Sequence, residues 1–212
     1  MDGMKSSERH PVPGLVPTHR HPGHGRAGSG TLNLRLAVPG DAAAIARIYN
    51  ESLPEPSAPA RRGGMALGTD LVALSEDRLL GWLVQHRQCR RPLWVACAGH
   101  EVVGWLSLLG FSDRPACGAA GEIAIYIGRA WHRRGVGRYL LRRALREAPL
   151  WGLDRLMAFI WHDNIASQSL FRGHGFTPWG ALPGVLQVGE QRLNMLIFGH
   201  ELTPAATSSR KS

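Results

Sequence analysis

The chain has 212 residues, 44% hydrophobic and 19% charged, which suits one folded domain with spare ends rather than a disordered chain. No apolar run approaches the roughly 20 residues that a membrane-spanning helix needs, and the opening MDGMKSSERHPVPG has no apolar stretch after its charges, so neither a membrane partner nor secretion is expected. The net charge of +9 favours acidic partners, whether nucleic acid, anionic lipid or a polyphosphate, without choosing among them. Three cysteines, Cys89, Cys97 and Cys117, form neither a disulfide framework nor a zinc motif, which fits a reducing, cytoplasmic setting.

Residues 1–30 are rich in His, Pro, Gly and Ser and read as a disordered tail, residues 204–212 as a polar tail, and 31–203 as the folded domain. His10, His19, His21 and His24 are metal-ligating types, but they lack a regular ligand spacing and no metal is expected. Leu32, Leu34 and Leu36 alternate with Asn33 and Arg35, a half-buried strand. Pro39-Gly40-Asp41 breaks it, and Asp41 is placed to cap a helix carrying Ile45, Ile48 and Tyr49 on one face. Glu51 to Thr69, with its prolines and glycines, reads as a loop. Ser75 opens a second helix, with Glu76 and Asp77 favourable in its first turn and Leu79, Leu80, Leu83 and Val84 as its stripe. Leu93 to Ala98 and Glu101 to Leu109 are strands about a Gly99-His100 turn. After Arg114-Pro115 come a strand from Glu122 to Ile127, a glycine turn and a helix to about Glu147. Val136, Leu140, Leu141, Ala144 and Leu145 are its buried side; Arg138, Arg142 and Arg146 fall four apart on the polar one. A strand from Leu156 to Trp161, a helix from Ile165 to Arg172 and a last strand from Arg192 to His200 complete the series. This order predicts a mixed α/β domain with a largely antiparallel sheet.

The glycine turn carries the chemistry. Eight arginines stand between Arg129 and Arg155 against two acids, Glu147 and Asp154. Glycines at 135 and 137 let backbone approach a ligand, and the free N–H groups and dipole of a helix start favour a phosphate. The Walker pattern and the three-glycine dinucleotide fingerprint are both missing. A tight strand-to-helix turn with a solvated arginine face is the alternative reading.

His132-Arg133-Arg134-Gly135-Val136-Gly137 resembles the acetyl-CoA pyrophosphate loop of the GNAT acetyltransferase superfamily, written Gln/Arg-x-x-Gly-x-Gly/Ala, with His132 at the first position as a departure. Asn164-Ile165-Ala166-Ser167, Leu170-Phe171 and Gly175-Phe176 resemble the superfamily's second cofactor-side motif. Over about residues 32–202 the chain is similar to the phosphinothricin N-acetyltransferase group, through Phe111 to Ala116, Glu122 to Ile127, Gly180 to Val185 and Arg192-Leu193-Asn194. In that group an aromatic residue is common where Cys117 stands, and an aspartate where Asn194 stands.

The resemblance implies a GNAT-type sheet with the cofactor in a slot between splayed central strands, and acetyl-CoA as co-substrate without a metal. It implies direct transfer of the acetyl group to the primary amine of a small molecule, an amino acid or a phosphinothricin-like or methionine sulfoximine-like analogue. Main-chain groups of Ile125, Tyr126 and Ile127 would pair with the pantetheine arm, one N–H polarising the thioester carbonyl. Arg133, Arg134, Gly135, Val136, Gly137 and Arg138 would hold the pyrophosphate. Asn164 and Ser167 would bind the cofactor, with Ser167 also able to relay a proton. Glu122 would be the base; ending a strand or pairing with an arginine is its plainer role. Phe171 replaces a proton-donating tyrosine of many members and cannot donate. Arg114 could fork onto a substrate carboxylate, or serve as a cap or surface ion pair. The seven tryptophans could line an acceptor pocket, but core and edge packing accounts for most of them. Other readings are a non-catalytic acyl-CoA-binding module, a protein N-acetyltransferase and a nucleic-acid binder; the arginines are assigned to the cofactor, so no nucleic acid is expected. An exposed last strand could support a homodimer.

Overall fold

The central strands are mostly apolar and buried on both faces, and the structure, a computed structural model, joins them into one sheet. It describes residues 25–27, 30–53, 73–188 and 190–202. The histidines at 10, 19, 21 and 24, most of both expected tails and most of the loop after Glu51 lie outside the described residues.

The strands are β1 (Gly25–Ala27), β2 (Gly30–Leu36), β3 (Leu93–Ala98), β4 (Glu101–Gly110), β5 (Ala120–Ile127), β6 (Arg155–Trp161), β7 (Thr177–Val188) and β8 (Gln191–Glu201). Their order in space is β1-β2-β3-β4-β5-β6-β8-β7. Every neighbouring pair is antiparallel except β5 with β6. Helices α1 (Ala42–Asn50) and α2 (Glu76–Gln88) cover one face, and α3 (Val136–Glu147) and α4 (Ile165–Arg172) are the other two α-helices among the described residues. The expected mixed α/β, mostly antiparallel architecture is the observed one.

Two cores form, one on each face of the sheet, because the central strands are apolar on both faces. On one face Val136, Leu140, Leu141 and Ala144 of α3 and Phe171 of α4 pack with Leu106, Leu108, Ile123 and Leu156. On the other, Ile45, Ile48, Tyr49, Leu79 and Leu83 pack with Val95, Trp105 and Tyr126. A side chain such as Leu141, fully buried, contributes about 1.5–3 kcal/mol by leaving water. No helix among the described residues is long and apolar enough to cross a membrane.

Local details depart from expectation in instructive ways. Ser75 caps α2, accepting from the Arg78 N–H at 3.3 Å. Asp41 precedes α1 but caps nothing in it. Its carboxylate turns back to accept from the Val38 N–H at 2.8 Å and from both terminal nitrogens of Arg35 at 2.6 and 2.7 Å. An arginine two-pronged donor outcompetes the helix start for the same oxygens. The stripe of α2 is rotated from the expected one: Val84 is exposed and His86 is buried.

Strand β7 is absent from the sequence reading, because Pro178, Gly180, Pro183 and Gly184 all argue against a strand. The chain accommodates them at the sheet edge, with register breaks between Pro178 and Gly180 and between Leu182 and Leu186. β7 is therefore the edge, and β8 is interior between β6 and β7. The last strand has no free edge from which to pair a second copy, so the homodimer expectation loses that footing.

Candidate active site

The sheet opens where the one parallel pairing among the described residues ends. β5 and β6 share three register pairs, Ala120 with Arg155, Gly121 with Leu156 and Glu122 with Met157. Beyond Glu122, β5 stays with β4 to Ile127 and β6 follows β8 to Trp161. The two strands part, leaving a V with Glu122 at its vertex.

Hydrogen-bond parity decides which backbone groups face the gap. The Phe111 N–H donates to the Ala120 carbonyl and the Gly128 N–H to the Val103 carbonyl. In an antiparallel ladder this turns the even-numbered residues of β5 toward β4 and the odd-numbered ones away. Ile125 and Ile127 therefore direct their main-chain groups to the β6 side. Tyr126 directs its own to β4, opposite Trp105. Three consecutive residues cannot all serve one side of an extended strand, so the expected pantetheine set loses Tyr126. One oxygen of the set is already engaged: His132 Nε2 lies 2.9 Å from the Ile127 carbonyl and ties the glycine turn to the strand end. That tie gives the unusual His132 a local role invisible in its sequence position.

The turn itself is wound by two left-handed residues, Arg133 at φ 60° and Gly135 at φ 84°. Gly135 is the residue before α3, and no side chain caps the helix. The first closing bond runs from the Tyr139 N–H to the Gly135 carbonyl at 3.0 Å. The N–H groups of Gly135, Val136, Gly137 and Arg138 thus precede the helical ladder and point out of its start, where the dipole adds positive potential. Arg133, Arg134 and Arg138 are exposed around them, with Arg134 placed over the Trp131 ring at 5.2 Å. These donors suit a diphosphate.

The two glycines divide the work. A Cβ on Gly135 would meet open space, so its need for glycine is the backbone angle. A Cβ on buried Gly137 would come within 3.1 Å of both Ile127 Cδ1 and Leu170 Cδ2, so its need is close packing against β5 and α4. Gly104 on β4 plays a similar part under Val136, where a Cβ would sit 3.2 Å from Cγ1.

Asn164 and Ser167 are brought together, Asn164 Oδ1 accepting the Ser167 N–H at 3.0 Å as the cap of α4. Phe171 is buried edge-on to Phe176 with ring centres 4.9 Å apart, which makes it core. Arg114 is exposed in the loop before β5, where a 3-10 turn spans Pro115–Cys117. Cys117 is half-buried and free. Asn194 Oδ1 accepts the Gly184 N–H at 2.8 Å, pinning β7 to β8. Of the tryptophans, Trp94, Trp105 and Trp161 are buried, and Trp179 is exposed with its indole lying over Gly199.

Glu122 is half-buried. Directly opposed residues share a face, so Glu122 lies with Ala124 and Tyr126 on the α1–α2 side. Removal from water pushes its carboxyl above the usual range, and no arginine offsets this. A pairing role with arginine is therefore not what the fold gives it. The Tyr126 phenol is pushed well up, first by burial and then by Tyr49 and Glu122. The result is a vertex with one proton-accepting group, next to a gap lined by main-chain donors and closed at its far end by an anion-favouring helix start.

Residues 45–176 match the acetyltransferase (GNAT) family. The chain is 36% identical over 173 residues to "Putative phosphinothricin acetyltransferase YwnH" of Bacillus subtilis (strain 168), covering 81% of this chain and all of that protein (100%). It is 27% identical over 154 residues to the L-methionine sulfoximine/L-methionine sulfone acetyltransferase of Salmonella typhimurium, 73% of this chain and 85% of the other. Its fold is similar to a crystal structure of a GNAT superfamily phosphinothricin acetyltransferase from Sinorhizobium meliloti in complex with acetyl-CoA. The TM-score is 0.69 at 22% identity, with 83% of this chain and 94% of that chain covered.

Proposed function

The chain belongs to the acetyltransferase (GNAT) family, and from that premise we propose that it transfers the acetyl group of acetyl-CoA to the primary amine of a free amino acid or close analogue. The observation that carries this reading is the V beyond Glu122, with the start of α3 at its open end. The relatives' names, one for phosphinothricin and one for methionine sulfoximine and sulfone, support the acceptor class. The neighbour described with acetyl-CoA supports the donor.

In this reading the N–H groups of Gly135 to Arg138 hold the diphosphate, and Ile125 and Ile127 offer main-chain partners to the pantetheine arm. An N–H at the vertex polarises the thioester carbonyl. Holding amine and thioester together supplies much of the rate gain. Glu122 takes the proton that the amine must lose. The amine nitrogen then bonds to the acetyl carbon, the C–S bond breaks, and the departing thiolate takes a proton from water or through Ser167. An α-amino group with a pKa of about 8 is roughly a tenth neutral near pH 7, so a modest base suffices.

An acceptor screen tests this. With acetyl-CoA present, release of CoA thiol should appear with amino acids or methionine analogues and not with peptides or polyamines. Glu122→Gln should lower kcat by at least 100-fold while leaving acetyl-CoA affinity nearly unchanged. The acid limb of kcat/KM should lie above the ordinary carboxylate range, because burial raises the Glu122 carboxyl and activity needs it ionised. Wild-type turnover in the glutamine variant removes Glu122 from the mechanism.

A further inference from the structure

Two polar side chains on the Glu122 face are fully buried and bonded to nothing. Ser107 is 0% exposed and its Oγ has no hydrogen-bond partner; Trp105 is 0% exposed and its Nε1 has none either. Both sit on β4, opposite Ala124 and Tyr126, while Leu109 stands opposite Glu122. Directly opposed residues share a face, so Ser107 is the diagonal neighbour of Glu122 across the ladder, roughly 7–8 Å away along the main chains and within reach of a long side chain.

A hydroxyl stripped of water without a replacement costs about 1–3 kcal/mol. Packing does not require it there, since an alanine would fill a fully buried strand position without that cost. Trp105 has a packing reason to be present: it stacks on Tyr126 with ring centres 4.1 Å apart and meets Trp82 edge-on at 5.6 Å. Ser107 has no such reason.

We infer that Ser107 is a positioning residue for Glu122, its hydroxyl donating to the carboxylate through one bridging water. The inference rests on the proposed role of Glu122 as base. The hydroxyl holds the ionised carboxylate and aims it at the amine. The other titratable groups on this face are Tyr126 on β5, Tyr49 on α1, His86 on α2 and Cys97 on β3. His86 is neutral, its pKa lowered to about 4 by burial against a smaller opposing hydrogen bond to the Arg91 carbonyl. Burial pushes the Tyr126 phenol well up and the Cys97 thiol up, so neither titrates on the acid side and Glu122 sets the acid limb.

The test compares Ser107→Ala, Ser107→Thr and Glu122→Gln by kcat, KM for acetyl-CoA, the pH dependence of kcat/KM and thermal melting. Loss of a donor to the ionised form should move the acid limb of Ser107→Ala up by about one pH unit and lower kcat about tenfold. KM for acetyl-CoA should stay within about twofold, and the melting temperature should hold or rise. Threonine should restore the limb. A wild-type limb in Ser107→Ala, with Glu122→Gln inactive, overturns the inference alone. A fall in kcat matched by a fall in melting temperature, with the limb unmoved, overturns it too. If Glu122→Gln keeps its turnover, the base assignment fails first and this inference fails with it.

Discussion

Glycine 135 and glycine 137 are two residues apart and do different things. Gly135 supplies a left-handed backbone angle in open space, and Gly137 supplies a missing Cβ between Ile127 and Leu170. Alanine at 135 should cost about 1–2 kcal/mol from the angle and weaken acetyl-CoA binding, since the N–H groups around it would be re-aimed. Alanine at 137 should cost about 1 kcal/mol by crowding, with a smaller effect on binding. Calorimetry and denaturant melts separate the two; equal losses of affinity would contradict the division. The glycines were legible in the sequence because spacing alone marks a turn before a helix. Their separate reasons were not, because the close approach of Leu170 is a tertiary contact. Tyr126 shows the same limit: its place in the motif was readable, but which way its main chain turns follows from β4 pairing.

Elements elsewhere in the fold obey the same contrast. Asp41 has the residue type and position of a helix cap, yet it binds Arg35 and Val38 instead. Burial raises its carboxyl, but the hydrogen bonds from Arg35 and Val38 outweigh that and leave it below the usual range. A lowered folded pKa means this stabilisation is complete above the ordinary aspartate range and is lost as pH falls through and below it. Asp41→Asn should therefore destabilise by about 2–3 kcal/mol at pH 7 and by less near pH 3. A pH-independent loss would count against the ion pair as the cause. Helices α1 to α4 were readable from their apolar stripes, and strands β2 to β6 from alternation or from short apolar runs bounded by turns. Strand β7 was not: at an edge, two prolines and two glycines cost few ladder bonds, and only pairing with β8 makes it a strand.

At the scale of the whole molecule, the parting of β5 from β6 opens the candidate site. Parallel pairing of β5 with β6 lasts three residues, then β6 follows β8 and β5 follows β4. The charge excess collects beside the resulting gap: Arg129 is tied to Glu51 and Arg143 to Glu147, while Arg133, Arg134 and Arg138 remain exposed around the start of α3. The motif around Gly135 pointed to a phosphate from sequence alone, but the gap proposed to receive the rest of acetyl-CoA depends on strand order. The most direct measurement is amide hydrogen exchange with and without acetyl-CoA. Slowed exchange should appear at Gly135 to Arg138 and at Ile125 and Ile127, with Tyr126 unchanged because β4 already protects it. Protection confined to the β7–β8 hairpin, or none along β5 and the start of α3, would contradict the account.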